Sequence, residues 1–234
     1  VEGEIGIDVE DLIPVQDVVI TITDNNYIKR IPVETYKIQH RGGKGLIGMG
    51  TKEEDIVVES FITSTHDYIM FFTNHGKAYW LKGYKIPEGG RHARGKAIIN
   101  LLPRLEEGEY VETAIPVHEY DNEHYLIFVT KKGTIKKTVL SEYGNIRVNG
   151  IKAINLDEGD ELISTKLSDG KQTIMIASAN GQACRFNEKE TRPMGRATYG
   201  VRGIKLNKGD RVVSMEVVGE KGDLLTITEN GYGK

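Results

Sequence analysis

Residues 68–82 read YIMFFTNHGKAYWLK, an apolar run ending at Thr73, a turn at His75-Gly76 and a second strand-like run from Lys77. Two short apolar runs separated by turn residues predict a β-hairpin. We expect its turn to be type I′, because Asn-Gly and related pairs supply the positive φ angles that this turn requires. Asn is the residue best able to replace Gly there, so Asn26 is expected to serve in the first copy of the hairpin.

The hairpin recurs along the chain. Its strand-like runs lie at residues 18–23, 68–73, 125–130, 173–178 and 224–228, and its turn residues stand at 26, 76, 133, 181 and 231. A period of about 50 residues is the size of one propeller blade. Two further landmarks recur in phase with the hairpin. A basic one lies at Lys44-Gly45-Leu46, Lys96-Ala97-Ile98, Lys152-Ala153-Ile154 and Arg202-Gly203-Ile204, and an acidic turn lies at 54–57, 107–111, 158–162 and 208–212.

The segments between the hairpins show no helical periodicity of apolar residues, so the sequence predicts an all-β fold with three or four short strands per copy. We expect one domain over residues 1–234, with repeats at 12–64, 65–118, 119–168 and 169–217 and a partial fifth at 218–234. Because propellers typically close with four to eight blades, we expect the natural protein to continue for at least one more blade.

Composition excludes a helical membrane protein. The chain has a mean hydropathy of -0.37, and no run reaches the roughly 18 apolar residues that a membrane helix needs. Its N-terminus carries acids where a signal peptide would carry bases, so we expect a cytoplasmic protein without a membrane partner. The net charge of -3 argues against a nucleic-acid partner, because phosphate binding is driven by Lys and Arg. The distribution of charge therefore has to be considered by position.

Charge alternates with the repeat. Residues 27–45, 77–96, 131–152 and 182–205 each hold five or six cations against one or two acids, whereas the intervening stretches are acidic. Since the copies share one geometry, charges at one phase of the repeat should form a basic band. Such a band on a curved surface suits a bent DNA duplex bound through its phosphates. The plainer interpretation is that these cations protect strand edges from pairing with other chains.

Residues 39–45 read QHRGGKG and combine cations with three glycines. Glycine lets the backbone approach a phosphate closely and offer its N–H groups, so the segment is a plausible anion clamp. The overlapping G-x-G-x-x-G pattern of residues 43–48 has no surrounding βαβ unit, and Gly45 stands where a P-loop needs Ser or Thr. A nucleotide-binding loop is therefore not expected.

The segment resembles the signature heptapeptide of the DNA gyrase A C-terminal domain, Gln-Arg-Arg-Gly-Gly-Lys-Gly, with His40 in place of one Arg. Further stretches are similar to that family's blade motifs, namely 17–19, 93–96, 136–138, 200–204 and 230–234. The resemblance implies a β-pinwheel, a propeller relative with six blades of four strands, of which four complete blades and part of a fifth lie here. It also implies that the domain wraps double-stranded DNA around its outer rim without sequence preference.

In that family the domain is non-catalytic and holds no cofactor. The resemblance implies an A2B2 complex with the remainder of the gyrase A protein and with the gyrase B protein, in which other domains use ATP and Mg²⁺ to introduce negative supercoils. The heptapeptide would fix the path of the wrap while the other blades supply most of the affinity. The expected DNA-binding residues are Gln39, His40, Arg41, Gly42, Gly43, Lys44, Gly45, Lys29, Arg30, Lys77, Arg91, Arg94, Lys96, Lys131, Lys132, Lys136, Lys137, Arg147, Lys152, Arg185, Arg192, Arg196, Arg202 and Lys205.

Three other interpretations remain open. The chain resembles, more weakly, the corresponding domain of topoisomerase IV, which has degenerate or absent heptapeptides. A propeller scaffold for protein partners lacks the Gly-His and Trp-Asp signatures of WD40 repeats. A small enzyme lacks any convergent acid and base in the sequence, and the six histidines do not predict a metal site. Cys184 is expected to be a buried and inert thiol.

Overall fold

The computed structural model describes residues 9–36, 55–102, 104–145, 147, 149–218, 225, 227, 232 and 233. These residues form strands and short 3-10 helices, which confirms the predicted all-β class. The chain divides into two compact units, residues 1–120 with 144–153 and residues 121–143 with 154–234. In the part of the chain that the structure describes, no helix is long and apolar enough to cross a membrane.

The first unit contains two four-stranded sheets, in the orders β3-β1-β2-β6 and β10-β5-β4-β7. Their antiparallel strands are numbered in chain order. They are β1 (Asp17–Thr23), β2 (Tyr27–Pro32), β3 (Val57–Ser64), β4 (Tyr68–Thr73), β5 (Lys77–Lys82), β6 (Lys96–Ala97), β7 (Val111–Val117) and β10 (Ile151–Lys152). Its 3-10 helices are Val9–Leu12, Val33–Thr35, Gly83–Lys85 and Ile98–Asn100.

The second unit contains a four-stranded sheet, β11-β8-β9-β14, and a three-stranded sheet, β13-β12-β15. The strands are β8 (Tyr125–Thr130), β9 (Thr134–Val139), β11 (Leu162–Ser168), β12 (Thr173–Ser178), β13 (Ala183–Asn187), β14 (Val201–Arg202) and β15 (Val212–Val218). Its 3-10 helices are Leu140–Tyr143 and Glu188–Glu190. Most of the predicted partial repeat at 218–234 lies outside the described residues.

Each unit has its own apolar core. Alternate residues of the first hairpin strands face inward, as the period of two in a strand requires. In the first unit Val18, Ile20, Ile69 and Phe71 are fully buried, and in the second unit Ile127, Val129, Ile174 and Ile176 are fully buried as well.

Four of the five predicted hairpins lie within the described residues and are present there, but the turn type predicted for them is wrong. Only one residue in each turn has positive φ, namely Asn26 (57°), Gly76 (71°), Gly133 (88°) and Gly181 (83°). The amide of Asn26 donates to the carbonyl of Thr23 at 2.9 Å, and Thr23 and Tyr27 flank three loop residues. A three-residue loop of this kind needs one left-handed residue, whereas type I′ needs two.

The acidic landmark proves to be a hydrogen-bonding site at each of the four described hairpins, and its acid is buried at the first three, Asp55, Glu109 and Asp160. The hydroxyls of Thr73, Thr130 and Ser178 each donate at 2.6 Å to an acid of that landmark, respectively Glu109, Asp160 and Asp210. The three hydroxyls lie where the sheet register shifts by one residue. Asp55 accepts instead from the amide of Asn25, at 3.2 Å. These acids therefore fix the bulged end of a strand and are not simply part of an acidic surface.

The basic landmark forms a two-residue strand that joins the sheet of the preceding repeat. Strand β6 pairs with β2, β10 with β5, and β14 with β9. A glycine precedes each short strand because the chains approach closely there. A Cβ on Gly95, whose φ is +90°, would lie 2.5 Å from the carbonyl oxygen of Ile28. Each four-stranded sheet is thus completed by the next repeat along the chain.

Candidate nucleic-acid interface

An exposed cation marks the same edge of every sheet. In the four-stranded sheets the outermost strand beyond the second hairpin strand is β6, β10 or β14, and in the three-stranded sheet the second hairpin strand β13 is itself the edge. These four edge strands carry, respectively, Lys96, Lys152, Arg202 and Arg185, and all four residues are exposed. The edge-strand cations give each of these sheets a positive group on the corresponding edge.

The register of these four cations is less regular than the sequence suggested. Lys152 lies opposite Lys77 and Arg202 opposite Thr134, each the first residue of its hairpin strand. Lys96 instead lies opposite Ile28, the second residue of its strand, so it is displaced by one position. Because a shift of one residue in a strand reverses the face, Lys96 is not the exact counterpart of Lys152.

The loops and turns beside these edges carry most of the other predicted cations. Of these, Lys132, Arg147, Arg192 and Lys205 are exposed, and Arg91, Arg94, Lys131 and Arg196 are partly exposed. Arg30 and Lys77, which lie on strands β2 and β5, are also partly exposed.

Several of these cations have acidic neighbours. Lys77 Nζ lies 2.6 Å from Glu106 Oε1, and Arg30 and Lys131 make similar pairs with Glu88 and Glu161, at 3.2 and 3.0 Å. Solvent-exposed pairs of this kind contribute roughly 0–1 kcal/mol. A phosphate can therefore compete with the acidic partner.

Three predicted contact residues are buried. Lys29 and Lys136 have no exposed surface, and Lys137 is 3% exposed. The ammonium of Lys137 lies 2.8 Å from the carboxylate of Glu188, which is itself buried. As placed in the structure, these lysines are interior groups and do not present their charge on a surface. Strand position alone did not distinguish them from their exposed neighbours.

The predicted heptapeptide, residues 39–45, lies outside the described residues. Its counterpart in the second repeat is the loop that follows the 3-10 helix Gly83–Lys85 and ends at Gly95. In that loop the guanidinium of Arg91 lies 5.0 Å from the ring centre of Tyr36, and that of Arg94 lies 3.6 Å from the ring centre of Tyr27. Arg94 Nε is also 3.7 Å from Asp55 Oδ2. Both arginines are thus held in place before any ligand binds.

Among the described residues, one group could hold a metal ion. Ligand atoms of His75, Glu106 and Glu109 all lie within 4.8 Å of one another. However, the ammonium of Lys77 lies 2.6 Å from Glu106 and 3.6 Å from Glu109, and Tyr79 and Thr73 donate to Glu109. A cation and two hydroxyls thus already satisfy these carboxylates, so the group is better described as part of the hairpin network.

Cys184 is half-buried rather than buried. Its thiol lies 3.5 Å from the carbonyl oxygen of Gly203, and burial raises its pKa. A raised pKa keeps the thiol protonated, which agrees with the expected inert role.

Comparison with known proteins identifies the same family along the whole chain. A family model described as "DNA gyrase C-terminal domain, beta-propeller" matches residues 17–64, 67–118, 124–169, 172–219 and 222–234. The DNA gyrase A protein of Staphylococcus epidermidis is 47% identical over 228 residues, which cover 96% of this chain and 25% of the relative. The DNA gyrase A protein of Halalkalibacterium halodurans is 53% identical over 195 residues, covering 83% of this chain and 23% of that relative.

Solved structures agree. The crystal structure of the C-terminal domain of DNA topoisomerase IV superimposes with a TM-score of 0.79 at 28% identity, covering 95% of this chain and 68% of that chain. The structure of the DNA gyrase A C-terminal domain gives 0.71 at 29% identity, with 93% and 70% covered. The chain spans about a quarter of the length of the gyrase A relatives. The propeller-like fold is confirmed, and the chain belongs to the DNA gyrase C-terminal domain family.

Proposed function

We propose that this chain binds duplex DNA, without sequence preference, along the edges that carry Lys96, Lys152, Arg185 and Arg202. The observation that supports this function is that each of the four described sheets has an exposed cation on the edge strand at the side of its second hairpin strand. Phosphate contacts from Lys and Arg supply most of the free energy of nonspecific binding, because they release condensed counterions. Repeated cations on equivalent edges would contact the backbone at several points.

The finer part of the proposal is that the bound DNA is wrapped. Bending 20–30 base pairs by 40–90° costs on the order of 1–6 kcal/mol, so several sheets must contribute contacts together. Residues 39–45 would fix the path of the wrap, and the edge cations would supply the affinity. Wrapping would make this chain the part of the gyrase A protein that guides DNA. It would act in a cytoplasmic A2B2 complex that introduces negative supercoils, in which other domains bind ATP and Mg²⁺.

Titration of the chain with a long duplex over a salt series tests DNA binding. Log affinity should fall linearly with log salt, by about 0.9 per neutralised phosphate. We expect Arg185→Gln/Arg192→Gln/Arg202→Gln to reduce this slope by up to about 2.7, since three contacts would be lost.

The matched control is Lys166→Gln/Lys171→Gln/Lys208→Gln, which removes the same charge from residues outside the predicted set. This control should leave the slope nearly unchanged. An equal loss in both triple variants would mean that only net charge matters, and a wild-type chain with no salt-dependent binding would exclude the proposal.

The topoisomerase IV C-terminal domain is a second candidate because of its TM-score of 0.79. Gyrase is preferred, since a gyrase A relative reaches 47% identity over 96% of the chain. Ligation of nicked circles in the presence of the chain separates the two possibilities. A wrap of fixed hand shifts the topoisomer distribution in one direction, whereas DNA binding without a wrap leaves it centred.

A further inference from the structure

Lys29 is a buried cation whose hydrogen bonds are directed to another repeat. From strand β2 its ammonium donates to the carbonyls of Gly90, Arg91 and Ala93, at 3.0, 2.8 and 2.9 Å. An ammonium has three N–H donors, so the three carbonyls use all of them. None is left for a phosphate.

The loop that receives these bonds carries two of the predicted DNA contacts, Arg91 and Arg94. Elsewhere Arg30 of β2 joins the start of this loop: its amide donates to the carbonyl of Pro87 and its carbonyl accepts from the amide of Gly89, both at 3.1 Å. Its guanidinium donates to the carbonyl of Ile86 at 2.7 Å and pairs with Glu88 at 3.2 Å. All of these contacts lie before Arg91. Lys29 is therefore the group that fixes the backbone on either side of Arg91 and just before Arg94.

The arrangement recurs in the second unit. Lys136 occupies the position of Lys29 in strand β9, is fully buried, and donates to the carbonyl of Arg196. That residue belongs to the loop that follows the 3-10 helix Glu188–Glu190 and also carries Arg192. The amide of Met194 joins the same loop to the carbonyl of Lys137 at 2.7 Å. Two independent buried lysines thus hold two arginine-bearing loops.

Burial of a lysine normally costs free energy, because the charge leaves water. Burial lowers the pKa of Lys29 in this way. Carbonyl dipoles compensate for part of the cost only when the loop adopts the one conformation that directs them to the ammonium. These three hydrogen bonds therefore favour the ordered loop over any loop conformation that leaves the buried ammonium without them.

We propose that Lys29 and Lys136 are positioning residues for DNA binding, which act through the arginine loops 90–94 and 192–196 and do not contact DNA themselves. This inference rests on the proposed function. It assigns these two lysines an indirect role where the sequence predicted a direct one.

A double-mutant cycle on the full 234-residue chain, with a 40-base-pair duplex as the probe, tests the role of Lys29. Lys29→Met and Arg91→Ala/Arg94→Ala should each lower affinity at low salt by about tenfold and reduce the salt slope by up to about 1.8, the value for two contacts. The triple variant should be no weaker than Arg91→Ala/Arg94→Ala, because residues that act as one unit are not additive. Lys85→Met, which removes an exposed lysine of the same repeat, is the control and should be additive.

Full additivity of Lys29→Met with the arginine variant would overturn the proposal, as would unchanged affinity in Lys29→Met.

If Lys29→Met does not fold, NMR of the ¹⁵N-lysine-labelled wild-type chain decides the matter. The Nζ protons of Lys29 should exchange slowly with solvent both before and after DNA is added. Fast exchange in the free chain, or a contact between Nζ and DNA in the complex, would contradict the positioning role. Failure of the wild-type chain to bind would exclude the proposed function instead, and the free-chain NMR result would still report on the loop.

Discussion

Lys137→Met is expected to lower the free energy of unfolding by about 3–5 kcal/mol, the usual cost of leaving one member of a buried ion pair without its partner. Lys137 Nζ lies 2.8 Å from Glu188 Oε2, and both side chains are almost completely buried. Glu188 also accepts from the hydroxyl of Ser168 and, at 2.6 Å, from the amide of Gln172. Without Lys137 the carboxylate would keep these neutral donors but lose its counter-charge.

Urea unfolding provides the measurement. Lys137→Met should lower the transition midpoint without changing the denaturant slope, and Lys137→Met/Glu188→Gln should recover part of the loss because the unpaired charge is removed. Lys131→Met is the matched control, since Lys131 pairs with Glu161 at 3.0 Å but both side chains are 40% exposed. That pair should contribute less than about 1 kcal/mol. Equal losses in the two lysine variants would contradict the importance of burial.

The stability of the chain relative to a Lys136→Met variant is expected to rise with pH above about 7. Burial, together with the nearby charge of Arg196 and against the opposing effect of Glu142, lowers the pKa of Lys136 to about 7. The ordinary lysine value is 10.5. Between these two values the unfolded chain binds more protons than the folded chain, so stability increases as pH rises. Over that interval the change should be on the order of 3–5 kcal/mol.

Unfolding free energies of both proteins at pH 6, 7.5 and 9 test this. Other groups titrate alike in the two proteins and cancel in the difference, so the wild-type advantage should increase at each step above pH 7. A difference that stays constant from pH 6 to pH 9 would mean that Lys136 keeps its charge in the fold. A wild-type advantage in unfolding free energy that shrinks as pH rises would contradict the lowered pKa of Lys136.

The hairpins could be predicted because local sequence determines them. Alternating apolar residues and one left-handed residue per turn are visible in each copy, as at Asn26 and Gly76. The turn type was missed because a single residue of positive φ serves a three-residue loop as well as half of a type I′ turn. Strand completion by the next repeat could not be predicted, since two-residue strands such as Lys96–Ala97 are too short to have a period.

The candidate site was predictable in outline only. Charge phasing predicted cations on or after the second strand of each hairpin, and the structure places Arg185 and Lys152 on edge strands β13 and β10. It did not separate Lys29, Lys136 and Lys137 from them, because burial of a lysine depends on partners far away in sequence. The carbonyls that receive Lys29 lie 61 to 64 residues further along the chain. The acidic landmark was identified only as an acidic turn, and the burial of Asp55 and Glu109 was not predicted.

Lysine footprinting of the chain, by acetylation with and without duplex DNA, tests most directly whether the cation-bearing edges bind DNA. Lys96 and Lys152 lie on edge strands β6 and β10, whereas Lys166 lies on β11, at the opposite edge of its sheet, 3.3 Å from Glu216. DNA should slow acetylation of Lys96 and Lys152 severalfold and leave Lys166 unchanged, with protection that disappears at high salt because phosphate contacts are screened. Equal protection of Lys166, or none at Lys96 and Lys152, would contradict the assignment of these edges to DNA.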